Sequence, residues 1–391
     1  MNAKKIIFFV PSLSIGGGER VVSDLSLHLP DSIDSTIVLF KNEIFYPYKG
    51  KVICLNLPIS SNFFMKAYSF FLGTLQLKRI IREEKPNYII SFGNQLNIIN
   101  ILAGGRSLTR VEQYLPSMKG FWTRMYKILL QLLCNRSTKV IVVSQQIADS
   151  LTKDFKVKRE KIELIYNPLR IKEIQDLAKE QLISEHQPIF KNPVVITTGR
   201  LTRQKSQWHL IRAFKNVKEK VNGVKLVILG RGELEQSLKK LIRDLKLEND
   251  VFLLGWQENP FAFLAKSKVF VLSSLWEGLP CVLLEAMACG LPVISTDCKS
   301  GPREILAPDA HIGNQIKDIE YTEYGILTPT FDGKFHRAEN PLTKNEKKLS
   351  EAIIEVLHNK ELSNTLINKS KKRAEDFDIK QIIKKWDFLS N

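Results

Sequence analysis

The chain has 391 residues, of which 44% are hydrophobic and 25% are charged. This length is too great for one ordinary domain, and the near-average composition excludes a disordered chain, a collagen-like repeat and a coiled coil. A formal net charge of +17 indicates an anionic partner, and residues 51–150 hold thirteen Lys or Arg against four Asp or Glu.

Short apolar runs alternate with helical patterns along the chain. Continuous apolar runs of four to six residues are typical of strands buried on both faces, and their alternation with helices predicts βαβ units and parallel sheets. The predicted strands are residues 6–10, 36–40, 88–92, 140–144, 194–199, 226–230, 251–255, 269–273, 292–296 and 325–328. The predicted helices include residues 19–29, 70–84, 209–221, 234–245 and 282–289, and residues 344–391 are helical and rich in Lys.

The α/β pattern weakens at residues 179–193, which predicts two α/β domains, residues 1–185 and 193–375, followed by a helical tail over residues 376–391. Five scattered cysteines without a CxxC pair argue against a disulfide framework and a structural zinc site. No apolar run approaches the ~20 residues that span a bilayer. The first run is too short for a signal peptide and is ended by Pro11. We therefore expect a soluble or peripherally attached intracellular protein.

The first strand-to-helix turn contains Gly16, Gly17 and Gly18. Ligands of open α/β sheets bind outside the carboxyl ends of the strands, and glycines before a helix N-terminus allow close approach of a phosphate. The turn is neither a GxGxxG fingerprint nor a Walker loop, which disfavours a dinucleotide oxidoreductase and an ATPase. A tight turn that only packs is the alternative.

Two turns of the second half carry basic residues or glycines after a predicted strand. Arg200 and Lys205 follow one strand and can clamp a diphosphate, unless they are ordinary solvated charges. Gly230 and Arg231 follow the next strand, where a glycine would let a nucleobase or ribose lie close to the backbone.

The strongest signal is a pair of carboxylates eight positions apart. Glu277 lies in a turn with Gly278, and Glu285 lies about one turn into the following helix. Carboxylates accept strong hydrogen bonds from vicinal hydroxyls, so the pair can bind two polyhydroxy groups of one ligand. Charge complementarity at a helix N-terminus explains one Glu but not the second.

This segment resembles the E-x7-E signature of retaining glycosyltransferases of family 4, which have the GT-B fold of two Rossmann-like, doubly wound parallel-sheet domains. Further stretches resemble family motifs in the same order across residues 6–390. They are Gly16-Gly17-Gly18-Glu19, Gly199-Arg200-Leu201 with Lys205, Leu254-Gly255-Trp256 with Asn259-Pro260, and residues 297–306 with 324–327.

The resemblance implies transfer of a sugar from a nucleotide-sugar, most often UDP-linked, to a hydroxyl acceptor. The anomeric configuration is kept, and neither a metal nor a resident cofactor is needed. Arg200 and Lys205 are then expected to hold the diphosphate, Glu277 to lie beside the donor sugar and Glu285 to bind the ribose. The remaining donor-site residues implied are Gly16, Gly17, Gly18, Gly230, Arg231, Trp256, Gly278 and Leu279. The final helix is expected to cross back to the first domain.

One stretch departs from the family pattern. Many members carry a His near the acceptor, whereas the matching residues 109–114 contain none and have Glu112 and Gln113 instead. Glu112 is predicted to orient the acceptor; the alternatives are that the donor phosphate takes the acceptor's proton and that Glu112 is structural.

Asp376-Phe377-Asp378 matches the metal-binding DxD of the other glycosyltransferase fold, but we expect these residues to be N-terminal charges of the last helix.

Residues 63–71 and 118–127, within the basic region 62–136, mix aromatic residues with cations. Interfacial helices have this composition, so we expect contact with an anionic membrane; an ordinary amphipathic helix with core aromatics is the alternative. No nucleic-acid-binding module is present in the sequence.

The resemblance to family 4 implies that the acceptor is a lipid-linked or other envelope glycan at the cytoplasmic face. The expected sugar is a hexose or N-acetylhexosamine. A sugar-nucleotide epimerase of the same fold and an inactive partner subunit remain as alternatives.

Overall fold

The computed structural model describes residues 4–14, 16–58, 63–117, 121–310 and 315–389. The chain forms two compact units, Met1–Pro168 with Ile379–Asn391 and Leu169–Asp378. Within the described ranges each unit contains a seven-stranded sheet.

The sheet of the first unit is entirely parallel, in the order β3-β2-β1-β4-β5-β6-β7. Its strands are β1 (Lys4–Val10), β2 (Ile33–Leu39), β3 (Lys51–Cys54), β4 (Tyr88–Phe92), β5 (Ser107–Val111), β6 (Lys139–Val142) and β7 (Ile162–Leu164). Its helices, up to the second unit, are α1 (Gly17–His28), α2 (Phe63–Glu84), α3 (Asn94–Ala103), α4 (Phe121–Leu133) and α5 (Gln145–Phe155), with single 3₁₀ turns at Leu115–Ser117, Cys134–Arg136 and Arg159–Lys161. The apolar residues of β1 and β4 are buried on both faces, as the sequence pattern predicts.

The sheet of the second unit has the order β10-β9-β8-β11-β12-β14-β13. Its strands are β8 (Val194–Thr198), β9 (Lys225–Leu229), β10 (Val251–Gly255), β11 (Val269–Leu272), β12 (Val293–Thr296), β13 (Glu320–Tyr321) and β14 (Ile326–Thr328). The pairings are parallel except that β13 runs antiparallel to β14. The helices are α6 (Ile171–Leu177), α7 (Gln207–Lys220), α8 (Glu235–Asp244), α9 (Phe261–Ala265), α10 (Cys281–Ala288), α11 (Pro302–Leu306), α12 (Lys344–His358) and α13 (Lys360–Glu375), with a 3₁₀ turn at Ile189–Lys191.

The chain ends in the first unit with α14 (Ile379–Ile382) and a 3₁₀ segment, Ile383–Leu389. Trp386 and Leu389 are buried in the core that surrounds Phe8 of β1. Asp376 is the C-cap of α13 and pairs with Arg373 at 2.7 Å. The expectation that Asp376 is an N-terminal charge of the last helix is therefore wrong.

The limit between the units lies at residues 168 and 169, whereas the sequence pattern placed the domain boundary at residues 185–193. The intervening stretch packs on the second unit. The Asn259 amide donates hydrogen bonds to the Leu177 carbonyl at 2.8 Å and to the Glu180 carboxylate at 2.7 Å. Polar contacts of this kind leave no trace in hydrophobic periodicity.

Both sheets change direction at a central strand. β1 lies between β2 and β4, and β8 lies between β9 and β11. In such sheets the crevice at the reversal, outside the carboxyl ends of the strands, is the ligand site. The turns after β1, β8 and β11 are therefore the candidate ligand-binding turns.

Candidate active site

In the second unit, the loop after β8 and the loop after β11 are joined into one element. The Ser206 hydroxyl donates to the Ser273 carbonyl at 2.6 Å, and the Ser273 hydroxyl donates to the Lys205 carbonyl at 2.8 Å. The Leu275 amide also donates to the Gln204 carbonyl at 2.8 Å. These bonds hold the predicted diphosphate-binding loop against the loop that carries Glu277.

Glu277 is fixed through both of its carboxylate oxygens. Lys205 Nζ lies 2.7 Å from Oε1, and the Ser274 hydroxyl donates to the same oxygen at 2.5 Å. Gln204 Nε2 donates to Oε2 at 3.2 Å, and the Glu277 amide donates to the Lys299 carbonyl at 2.7 Å. The side chains of Lys205 and Glu277 are only 16% and 7% exposed. Sequence reasoning named Lys205 and Glu277 but missed their direct contact and the roles of Ser274 and Gln204.

Arg200 follows β8 and is exposed. The structure gives its guanidinium no ion-pair partner in the described part of the chain. Lys205 is already paired within the protein, whereas Arg200 and the exposed Arg203 of the same loop can engage an anionic ligand without displacing a carboxylate.

Two glycines of the turn after β9 are required by the protein's own packing. A Cβ atom at Gly230 would lie 2.0 Å from the Gly199 carbonyl oxygen, and one at Gly232 would lie 2.4 Å from that of Leu201. Gly230 also has φ +142°, which L side chains rarely adopt. Close packing of two loops thus accounts for glycine at both positions before any ligand is considered.

The remaining predicted donor-site residues lie around these loops. Arg231 is exposed and passes close to Gly255, next to Trp256, which is 36% exposed. Gly278 and Leu279 are buried, and the Gly278 carbonyl accepts a hydrogen bond from Ser300 at 2.9 Å.

Glu285 is buried in α10, five residues into the helix. Burial, with a further contribution from the charge of Glu285, raises the pKa of the Cys289 thiol to about 12. Cys289 is therefore protonated at neutral pH and is a poor nucleophile.

Arg303 anchors the segment after β12. This segment contains Lys299, whose carbonyl accepts the hydrogen bond from the Glu277 amide. The Arg303 guanidinium makes two-point contacts with Asp297, at 3.0 and 2.9 Å, and with Glu320, at 3.1 and 2.8 Å. Burial alone would lower the pKa of Arg303, but these hydrogen bonds raise that pKa above its usual range. The sequence motif contains Asp297 and Arg303, but nothing in its spacing revealed the ion pairs.

In the first unit, carboxylates flank the glycine turn after β1. A Cβ atom at Gly16 would lie 2.1 Å from Glu19 Oε2, and one at Gly18 would lie 2.7 Å from Glu112 Oε2. Glu112 follows β5, and its side chain is 24% exposed. Burial raises the pKa of Glu112, Arg110 opposes that rise, and Glu19 adds to it. Two carboxylates beside the turn disfavour an anion there and can accept hydrogen bonds from hydroxyl groups.

The described ranges contain no group of three or more His, Cys, Asp or Glu side chains that could hold a metal ion. Across the same ranges, no helix combines the length and the apolar character needed to cross a bilayer.

Comparisons with known proteins agree with this architecture. The sequence model of Glycosyltransferase Family 4 matches residues 15–173, and that of Glycosyl transferases group 1 matches residues 179–318. An uncharacterized glycosyltransferase of Methanocaldococcus jannaschii is 38% identical over 361 residues, covering 87% of this chain and 88% of the relative. A Campylobacter jejuni enzyme, N-acetylgalactosamine-N,N'-diacetylbacillosaminyl-diphospho-undecaprenol 4-alpha-N-acetylgalactosaminyltransferase, is 28% identical over 392 residues, 96% of each chain.

Among solved structures, Anabaena HepE in complex with UDP and glucose superimposes with a TM-score of 0.77 at 20% identity over 99% of both chains. The two parallel-sheet units and this neighbour define a GT-B fold, as the sequence motifs predict. The chain belongs to glycosyltransferase family 4, and it is a glycosyltransferase of the hexosyltransferase class. This membership favours a transferase over the epimerase alternative.

Proposed function

We propose that the enzyme transfers a hexose or N-acetylhexosamine from a UDP-sugar to a hydroxyl group of a lipid-linked envelope glycan, with retention and without a metal ion. The observation that carries the proposal is the fixed Glu277 carboxylate beside Lys205 at the reversal point of the second sheet. The Campylobacter relative is named for a diphospho-undecaprenol acceptor, and the Anabaena neighbour was crystallised with UDP and glucose. Both names agree with this donor and this acceptor.

The donor is proposed to bind in the second unit. Arg200 and Lys205 contact its diphosphate, Glu277 contacts the adjacent sugar and Glu285 contacts the ribose. The 2.7 Å contact between Lys205 and Glu277 supports neighbouring targets for these two side chains, since the diphosphate and the sugar of a nucleotide-sugar are directly bonded. Gly230, Arg231, Trp256, Gly278 and Leu279 complete the proposed site.

The same residues support the proposed charge stabilisation without a metal. The departing nucleoside diphosphate gains negative charge in the transition state, and fixed cations stabilise it without reorganisation. Arg200 is exposed and can contact the diphosphate directly, and Lys205, held in place by Glu277, adds a fixed positive charge beside it.

In the first unit, Glu112 is proposed to orient the acceptor hydroxyl. Its carboxylate lies next to the glycine turn after β1 and remains partly exposed. A carboxylate in this position can accept the hydrogen bond of an acceptor hydroxyl. The donor phosphate remains the alternative acceptor for the hydroxyl proton.

Attachment to an anionic membrane is proposed through one face of α2. Phe64, Tyr68, Phe71 and Leu75 recur at helical spacing and are all exposed, with 78% of Phe64 and 61% of Phe71 accessible. The exposure of these three aromatics supports a membrane contact over the alternative of core aromatics, whereas Phe70 of the same helix packs against the core. Lys78 and Arg82 continue the same face and are exposed as well. An apolar row that ends in cations fits the boundary between acyl chains and anionic headgroups.

The second predicted membrane segment is only partly described. Met118, Lys119 and Gly120 lie outside the described residues, as do the side chains of Phe121 and Trp122. Further along α4, Met125, Ile128 and Leu132 are exposed.

Donor choice is tested by thermal shift with UDP-, GDP- and ADP-sugars, because a ligand of the folded state raises its stability. We expect the midpoint temperature of unfolding to rise only with a UDP-sugar. In Glu285→Ala this rise should be smaller than in the wild type. The anomeric proton coupling of the product then reports retention. A shift with another nucleotide, or an inverted product, would refute the corresponding part of the proposal.

A further inference from the structure

Arg110 is a fully buried arginine at the carboxyl end of β5, with 1% of its surface exposed. Its Nε lies 3.2 Å from Glu112 Oε1, and its Nη2 contacts Asn167 Oδ1. Withdrawing a guanidinium from water is costly, and an ion pair does not by itself repay that cost with stability. The position therefore calls for a reason besides packing.

Aromatic rings enclose the same guanidinium. Its central carbon lies 5.4 Å from the ring centroid of Phe92, at the end of β4, and 5.9 Å from that of Trp386. Trp386 belongs to the C-terminal segment Ile383–Leu389 and is itself buried in the core of the first unit. Cation–π contacts are strongest when the cation is desolvated, as it is here. The end of the chain thus packs directly on the cation that contacts Glu112.

We infer that Arg110 and Trp386 are positioning residues for Glu112. Trp386 holds the guanidinium, and Arg110 in turn holds the Glu112 carboxylate beside the glycine turn. The inference rests on the role proposed for Glu112 and extends it, because it makes residues 379–389 a functional part of the first unit.

The charges that face Glu112 set the direction of the expected effect. Burial and the Glu19 carboxylate of α1 favour the protonated form of Glu112, whereas Arg110 of β5 favours the ionised form. Loosening Arg110 must therefore move the titration of Glu112 to higher pH. A change of packing elsewhere in the unit would leave the titration midpoint of Glu112 unchanged.

The first measurement does not depend on activity. Protein labelled with ¹³C at the Glu carboxyl carbons is titrated by NMR, and the Glu112 signal is identified by its loss in Glu112→Gln. We expect Arg110→Met to shift its midpoint to higher pH and Trp386→Leu, which keeps the cation, to shift it less in the same direction. Arg106→Met is the matched control, since Arg106 stacks on Tyr88 in the same unit at 5.9 Å, and it should leave the midpoint unchanged.

The second measurement is the pH profile of kcat/KM for transfer. The acid limb should move to higher pH in Arg110→Met and Trp386→Leu, with little change in donor KM, and Arg110→Lys should restore part of the wild-type profile. An unshifted Glu112 midpoint in a folded Arg110→Met or Trp386→Leu protein would overturn the inference. Absence of transfer by the wild type would instead refute the proposed function, and the NMR titration would still decide the role of Arg110.

Discussion

Lys205 Nζ lies 2.7 Å from Glu277 Oε1, although 72 positions separate the two residues in the chain. The sequence motifs assigned them to different parts of the donor, one to the diphosphate and one to the sugar. Their contact means that each holds the other in place, so a change at either position disturbs both.

Substitution of this pair should give non-additive losses. Glu277→Gln and Lys205→Met should each lower kcat/KM by roughly ten- to 150-fold, equivalent to about 1.5–3 kcal/mol for a charged hydrogen bond. In Glu277→Gln the loss should fall mainly on kcat. The double variant should lose clearly less than the product of the single effects, because the partners share one interaction. Independent effects in this double-mutant cycle would show that the pair does not act as a unit.

Glu285→Ala should weaken donor binding more than turnover. A buried carboxylate that accepts hydrogen bonds from ribose hydroxyls contributes about 1.5–3 kcal/mol, so Kd for UDP should rise by at least about tenfold. Calorimetric titration of UDP measures this directly. Glu248→Ala, at an exposed position of the same unit, is the control. Unchanged UDP affinity in Glu285→Ala would remove Glu285 from the site.

Excess chelator should leave transfer activity unchanged. Arg200 and Lys205 are proposed to supply the positive charge that a metal ion provides in other transferases. The measurement is the initial rate with and without chelator, followed by addition of Mg²⁺ or Mn²⁺. Activity that disappears in chelator and returns with either ion would contradict the proposed metal-free transfer.

Glu346 should make stability depend on acid pH. Burial alone would raise its pKa, but hydrogen bonds with His209 and Arg212 lower it to about 2, below the ordinary 4.5. A depressed folded-state pKa adds stability that is complete above about pH 4.5 and is lost as pH falls towards 2. Glu346→Gln breaks a buried ion pair and should cost about 3–5 kcal/mol at pH 7.

Urea denaturation between pH 7 and pH 3 tests this expectation. The difference in unfolding free energy between wild type and Glu346→Gln should narrow below pH 4.5, where the wild-type carboxyl also begins to protonate. Glu351→Gln, at a half-exposed residue paired with Lys348, should change stability by less than about 1 kcal/mol. A difference that stays constant with pH would contradict the assignment.

Vesicle sedimentation should show binding to anionic but not to neutral membranes. The double variant Phe64→Ser with Phe71→Ser should weaken binding that persists at high salt, whereas Lys78→Ser with Arg82→Ser should weaken the salt-sensitive part. Tyr321→Ser with Phe335→Ser removes two exposed aromatics from the second unit and serves as control. If the control and the α2 variants behave alike, α2 is not the contact face.

The sequence predicted most of the parallel sheets because their strands are short apolar runs. It missed the short strands β3, β7 and β13. It also missed β5, whose five residues include Ser107, Thr109 and Arg110 and are nevertheless all buried. These polar groups find partners that only the fold supplies: Ser137 contacts both hydroxyl residues, and Glu112 contacts the guanidinium. Hydrophobic periodicity cannot reveal a polar strand whose partners come from other elements.

For the site, the sequence predicted which turns matter but not how their side chains meet. Glycines and charges after a strand stand out in any α/β chain, so the loops of Arg200 and Glu277 were visible. Ser274 is an ordinary residue in sequence, and its bond to Glu277 depends on a turn geometry that spacing does not encode. The contact between Trp386 and Arg110 depends on the return of the chain end to the first unit.

The most direct test of the account is the mass of a diphospho-undecaprenol-linked glycan after incubation with the enzyme and a UDP-hexose or UDP-N-acetylhexosamine. If the enzyme has the proposed function, the lipid gains one sugar residue as UDP is released, and Glu277→Ala nearly abolishes the gain. Consumption of the UDP-sugar without any gain in the mass of the glycan, across this set of donors, would contradict it.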